Sequence, residues 1–233
     1  FPLPAISPPA FAMSPFITLR CLEQIKCSLA MMYLPVTVIS PGVGLGYADA
    51  GPTHYSNEDI ACIRSMAGIE LFSASDEVIT KTLATLTLSN PKLRVIRLER
   101  HALPKIYSDN ITINTSGFQK IKDGEKVCLL SYGHLLHRVI EVSKTLAKEN
   151  INVGLYDVFC FKPISQKLIS EIEKYNSIIT IEEQCLDGGF GSTILEFLSD
   201  NNKFKKVKRL GLPEKYFFEN GGRDYLLDTF GLS

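Results

Sequence analysis

The stretch Gly44-Leu45-Gly46-Tyr47-Ala48-Asp49-Ala50-Gly51-Pro52-Thr53-His54 decides how this chain is read. It follows the apolar, β-type run Val36-Thr37-Val38-Ile39 and precedes a well-signalled helix that begins near Ser56. Three glycines, one proline and two alanines in eleven residues leave few side chains to pack. A segment this bare lets its backbone come close to a ligand or to another chain. Asp49 and His54 are its only groups that titrate near or below neutral pH. Taken alone, the stretch reads equally well as a tight surface connection with an incidental histidine.

Working outward, Ser56 and Asp59 form a capping box for a helix ending at Gly68. Residues 69–72 read as a strand, Ser75 as the cap of the next helix, and 95–98 as the next strand. Asp76 and Glu77 sit favourably near the positive end of that helix. On the N-terminal side, Ser14 is the expected N-cap with Pro15 at the first helical position. Phe16, Leu19, Leu22, Ile25 and Leu29 recur at helical spacing, and this helix should stop before Pro35. Residues 1–13, proline-rich and uncharged, suit an extended, buried strand whose neighbours come from elsewhere.

Residues 105–122 carry no sustained period and read as a linker. Beyond them strands are expected at 127–131, 153–161, 178–181 and 207–210, with helices at 134–148, 165–174, 192–198 and 222–230. Alternating strands and helices predict an α/β fold: two three-layer α/β/α units with mainly parallel sheets, the first incomplete at its N-terminal side. The domains are then 1–104 and 123–233.

Composition excludes several classes. Lysine plus arginine equals aspartate plus glutamate at 25 each, so nothing favours nucleic acid or an anionic membrane. Hydrophobic residues make up 45%, ordinary for a globular chain with ample core. The uncharged run 27–48 is interrupted by Pro35, Pro41 and glycines, which rules out a membrane helix. Cys21, Cys27, Cys62, Cys128, Cys160 and Cys185 form no C-x-x-C pair and read as reduced residues of a cytoplasmic protein. His134-x-x-His137 has no third ligand at suitable spacing, so no metal is expected on this chain.

Gly51-Pro52-Thr53-His54 after the Gly-rich loop resembles the transketolase family of thiamine-diphosphate enzymes, which includes 1-deoxyxylulose-5-phosphate synthase and split, two-chain transketolases. The helix from Phe16 to Ile25 is similar to the family's cofactor-stacking helix, and Arg97-Leu98-Glu99-Arg100-His101 to its phosphate-binding strand end. Glu182-Glu183-Gln184, Gly188-Gly189-Phe190-Gly191-Ser192 and Gly211-Leu212-Pro213 are similar to its last domain. The matches keep one order over nearly the whole chain.

The resemblance implies roles. His54 matches the histidine facing substrate and the cofactor's reactive carbon, and histidine's titration near neutrality suits proton transfer. Arg100 matches an arginine whose planar fork holds a sugar phosphate, whereas Arg94 and Arg97 read as solvated or paired. Asp49 stands one place before the position, Ala50 here, where the family carries an acidic substrate-binding residue. Phe16, Leu19 and Leu22 fall at the cofactor-stacking positions, two of them leucine where aromatic rings are usual. Gly42 falls where transketolases carry a histidine. The chain has no G-D-G motif, so a partner chain carrying the diphosphate-binding domain would hold the diphosphate and magnesium. The glutamate that activates the cofactor lies upstream of the aromatic helix in the family, and here the first acidic residue is Glu23. The expected function is the C-terminal subunit or fragment of a homo- or hetero-oligomeric enzyme. It would transfer a two-carbon ketol unit between sugars or sugar phosphates, or make a related C–C bond, and the chain alone would be inactive. The alternative is a non-catalytic remnant that binds a catalytic homologue.

Overall fold

The computed structural model describes residues 8–109, 111, 113 and 116–233. Its first half runs β1 (Pro9–Phe11), α1 (Ser14–Ile17), α2 (Leu22–Gln24), a π-helical turn (Ile25–Ala30) and β2 (Thr37–Pro41). It continues through α3 (Asp59–Arg64), β3 (Glu70–Ser73), α4 (Glu77–Ser89) and β4 (Arg94–Leu98). The second half runs β5 (Phe118–Lys122), β6 (Val127–Ser131), α5 (Gly133–Lys148), β7 (Val153–Val158), β8 (Cys160–Lys162) and α6 (Gln166–Ile172). It closes with β9 (Ser177–Cys185), α7 (Phe190–Asp200), β10 (Lys206–Leu212) and α8 (Gly222–Thr229).

Two five-stranded sheets result, ordered β1-β2-β4-β3-β8 and β10-β9-β6-β7-β5, as the two-unit α/β reading requires. All pairings are parallel except β3 with β8 and β5 with β7. Parallel strands need crossover connections, and α3 through α7 supply them as the helices between strands. The helices and inner sheet faces share a core that runs through both halves of the chain. Val38, Ile63, Leu71 and Val95 belong to the same buried cluster as Leu130, Tyr156, Phe161 and Phe190. Among the described residues no helix is long and apolar enough to cross a membrane.

Several local expectations need correction. The arm was expected as a buried strand. Residues 1–7 lie outside the described residues, and β1 pairs with β2 as an edge strand with Phe11 exposed. The expected continuous helix from Ser14 breaks into α1, α2 and the π-helical turn. Its first turn is fixed by polar contacts: Ser14 is fully buried and bonded to serines of two other segments, and Thr18 Oγ1 donates back to Ser14 O at 2.6 Å. The Ser56–Asp59 capping box does not form. Helix α3 begins after Glu58 with no side-chain cap, because Asp59 is engaged elsewhere. Asp76, not Ser75, caps α4, its Oδ1 accepting from Ile79 N at 2.9 Å.

The stretch 153–161, expected as one strand, divides at Phe159. Its second part crosses to the first sheet, where Ser73 N donates to Phe159 O at 2.9 Å. The expected linker 105–122 ends in β5, which pairs with β7; Asn110 and residues 112, 114 and 115 lie outside the described residues.

Candidate functional site

The Gly-rich loop leaves the carboxyl end of β2, beside the carboxyl end of β4. In an open parallel sheet this is where ligands gather. The loop is closed at its base, since Gly44 N donates to Ser56 O at 3.2 Å and Ser56 N returns to Gly44 O at 3.0 Å. Leu45, Ala48 and Tyr55 are buried beneath it, so it is an ordered platform. Gly44 needs to be glycine: its φ is +58°, and a Cβ there would stand 2.6 Å from Glu183 Oε2.

His54 stands half-buried at the loop's far end. Its Nδ1 is 2.9 Å from Thr53 Oγ1, and its ring meets Phe16 edge-on at 5.2 Å between centroids. The Arg20 guanidinium covers Phe16 at 4.2 Å. The structure thus brings together two of the expected site residues from positions 38 apart in sequence. Leu19 is half-buried. Leu22 instead packs against the main core and lines a cavity of about 700 Å³ with Glu23, Lys26 and Cys27.

Arg100 and Asp49 also meet. Arg100 Nη1 donates to Asp49 Oδ1 at 2.6 Å, and its guanidinium lies 4.5 Å from the centre of the Tyr47 ring. This bond holds the Asp49 carboxyl below its ordinary range. Both residues line a cavity of about 540 Å³ together with His101, His134, His137 and Arg223. His54 is not among the residues lining this cavity.

Arg94 and Arg97, read as solvated or paired, are both paired and buried, whereas Asp59 and Ser14 were read only as helix-start residues. Arg97 and Asp59, both about 1% exposed, form a two-point pair through Nε–Oδ2 at 2.7 Å and Nη2–Oδ1 at 3.1 Å. Ser14 Oγ extends this pair: it donates to Asp59 Oδ2 at 3.4 Å, contacts Ser56 Oγ at 2.6 Å and accepts from Ser40 Oγ at 2.7 Å. The helix carrying Phe16, the helix after His54 and strand β4 are thereby tied at one point. Arg94, also buried, pairs with Glu70 at 2.7 Å.

A second cluster joins the units. Arg223 donates to Glu99 Oε2 and Glu183 Oε2, each at 2.7 Å, and Glu183 Oε2 accepts from Leu45 N at 3.1 Å. Burial pushes the Glu183 carboxyl up, but Arg223 outweighs it and the net shift is downward. Burial, then Arg223, lowers the neighbouring His134. Charged residues inside the strand Arg94-Val95-Ile96-Arg97-Leu98 were the available signal for the first cluster. The second joins residues 40 to 138 positions apart, and nothing local in the sequence pairs them.

Two αβ units in this order, with a Gly-rich loop and an imidazole at the strand ends, define a class. Residues 5–105 match the family model "Transketolase, pyrimidine binding domain" and residues 117–233 match "Transketolase, C-terminal domain". The chain belongs to the transketolase family. It is 28% identical over 215 residues to the 1-deoxy-D-xylulose-5-phosphate synthase of Aquifex aeolicus, covering 91% of this chain and 34% of that protein. It is 28% identical over 223 residues to one subunit of the apulose-4-phosphate transketolase of Phocaeicola vulgatus, covering 93% of this chain and 71% of that one. A solved structure described as "Split gene transketolase, inactive beta4 tetramer" superposes with a TM-score of 0.85 at 26% identity, covering 97% of this chain and 71% of that one. The chain therefore spans about a third of the synthases it matches and most of the length of the transketolase subunit.

Proposed function

We propose that this chain supplies the pyrimidine-binding and C-terminal domains of a transketolase-type enzyme. A partner chain carrying the diphosphate-binding domain would complete it, holding magnesium and the diphosphate of thiamine diphosphate. The assembly transfers a two-carbon ketol unit between sugars or sugar phosphates, or forms a related C–C bond as in the synthases. The observation that carries the reading is the contact of Phe16 on α1 with His54 on the loop at the strand ends of a pyrimidine-binding domain. The relative from Phocaeicola vulgatus, itself one subunit of a transketolase and similar over 93% of this chain, supports the division of labour. The six unpaired thiols suit a cytoplasmic location.

Phe16 and His54 fit the ring end of the cofactor. Phe16, with Arg20 over its ring and His54 at 5.2 Å, would hold a heteroaromatic ring by aromatic contact. Thiamine diphosphate supplies the electron sink for breaking and making a bond beside a carbonyl. His54 Nδ1 is engaged by Thr53, so Nε2 is the atom that holds or moves a proton at a substrate oxygen. Asp49 and Arg100 bind the far end of the sugar. The described residues do not fit the metal end, since no group of three His, Cys, Asp or Glu among them is placed to hold an ion. Glu23, the only acidic residue described before Asp49, lines the cavity beside Leu22, so the activating carboxylate comes from outside the described residues.

Leu19 and Leu22, standing at usually aromatic positions, favour a second reading: a non-catalytic chain that binds a catalytic homologue. The test is reconstitution with a diphosphate-domain chain, thiamine diphosphate and magnesium, using a panel of aldose and aldose-phosphate acceptors. Ketol transfer should need both chains, and His54→Ala should lower kcat about 10²–10⁴-fold. No turnover by any such pairing would favour the second reading.

A further inference from the structure

We propose that Asp49 occupies Arg100 as an internal counter-ion, making the cavity beside them a site for uncharged polyhydroxy ends and disfavouring phosphate. This rests on reading Arg100 and Asp49 as substrate-binding residues. Three contacts build the lock. Asp49 takes Arg100 Nη1 at 2.6 Å, and the Tyr47 ring supports the guanidinium at 4.5 Å. The Tyr47 ring in turn lies where a side chain at position 42 would project: a Cβ on Gly42, whose φ is +80°, would overlap it. A glycine at 42 thus admits the tyrosine that steadies Arg100.

The other charges around the cavity are matched as well. Arg223 is bonded to Glu99 and Glu183, and Asp224 to Arg138. His137 Nε2 lies 2.9 Å from Ser75 O, and burial together with Arg223 disfavours a charged His134. The fixed charges on the lining are Arg100 and Arg223 against Asp49 and Asp224, so the wall offers a dianion no surplus positive charge. Phosphate, whether it displaces the carboxylate or takes a remaining Arg100 N–H, would sit beside the Asp49 charge and be repelled by it. A hydroxyl meets no such repulsion. It donates to Asp49 Oδ2 and accepts from a remaining Arg100 N–H while the pair stays intact.

The test titrates the chain with inorganic phosphate, and separately with ribitol, at constant ionic strength. Binding is read from the Arg100 Nε–H and His101 amide signals by NMR. Asp49 is largely exposed, so Asp49→Asn should fold normally. It should bind phosphate at least about tenfold more tightly than the parent, from the freed guanidinium and the lost like-charge repulsion. Adding Arg100→Gln should erase that gain. Ribitol should bind the parent and weaken in Asp49→Asn. Equal phosphate affinity in parent and Asp49→Asn, or none in either, overturns the proposal. Ketol transfer by the reconstituted assembly is scored separately, so loss of the lock and loss of the enzymatic reading are told apart.

Discussion

Asp59→Asn isolates the charge that holds the candidate site together. The substitution keeps the side chain's shape and removes the negative charge facing Arg97, which is about 1% exposed. Arg97 then keeps two neutral side-chain acceptors, the remaining amide oxygen at position 59 and Ser73 Oγ at 3.1 Å, faces an NH2 donor in place of the second carboxylate oxygen, and is buried with no carboxylate bonded to it. Breaking a buried ion pair from one side costs about 3–5 kcal/mol. With a urea m-value of roughly 2–3 kcal/mol per molar, the midpoint should fall by about 1.5 M. The double variant Asp59→Leu with Arg97→Met removes both charges and should lie within about 2 kcal/mol of the parent. Circular dichroism against urea reads all three proteins. The Phe16–His54 contact should loosen in the single variant, because Ser14 donates to that carboxylate and Ser56 is bonded to Ser14. A midpoint for Asp59→Asn within about 0.3 M of the parent would refute the reasoning, as would a double variant less stable than the single one.

Two further outcomes follow from other buried groups. Burial pushes the Asp157 carboxyl up to about 7, although Ser75 and Tyr107 donate to it, and nearby Asp76 adds to the rise. The folded chain therefore keeps a proton that the unfolded chain, near 3.8, has lost. Stability should fall as pH rises from about 4 to about 7, by up to about 1.4 kcal/mol per pH unit from this group. Asp157→Asn should remove that part of the slope; an unchanged slope in urea melts would sink the assignment. Gly44→Ala, which strains φ and drives a Cβ into Glu183, should lower Tm by about 5 °C in calorimetry, and an unchanged Tm would contradict it.

Much of the fold was legible because strand periodicity and helix starts are local. Val127–Ser131 appears as read, and Ser165 caps α6 as its side chain suggests, accepting from Lys167 N. Failures came where a distant partner outbid a local signal. Asp59 has capping-box spacing from Ser56, but a guanidinium 38 positions away took the carboxylate. The run Val158-Phe159-Cys160-Phe161 is apolar throughout, so nothing in it marks the switch between sheets; Gly117 O, accepting from both Phe159 N and Cys160 N, marks it in space. At the site, the resemblance singled out Asp49 and Arg100, and the structure brings the two into contact. Tyr47 was not singled out, because its value depends on the space left by Gly42.

The second unit bears on the site without lining the Phe16–His54 pair. A loop with positive φ at Gly42, Gly44 and Gly51 has wide backbone freedom when unfolded, and its order has to come from contacts outside itself. Those contacts lie largely in the second unit. Glu183 of β9 holds Leu45 N, Gln184 Nε2 donates to Ser56 O at 2.6 Å, and Arg223 of α8 braces Glu183 against Glu99 at the end of β4. Strand β8 meanwhile closes the edge of the first sheet. The C-terminal unit thus acts as a clamp that keeps the Gly-rich loop in its shape. Loosening Arg223 should therefore disturb the site through Glu183 and Leu45, beyond any effect of its own place on the cavity lining.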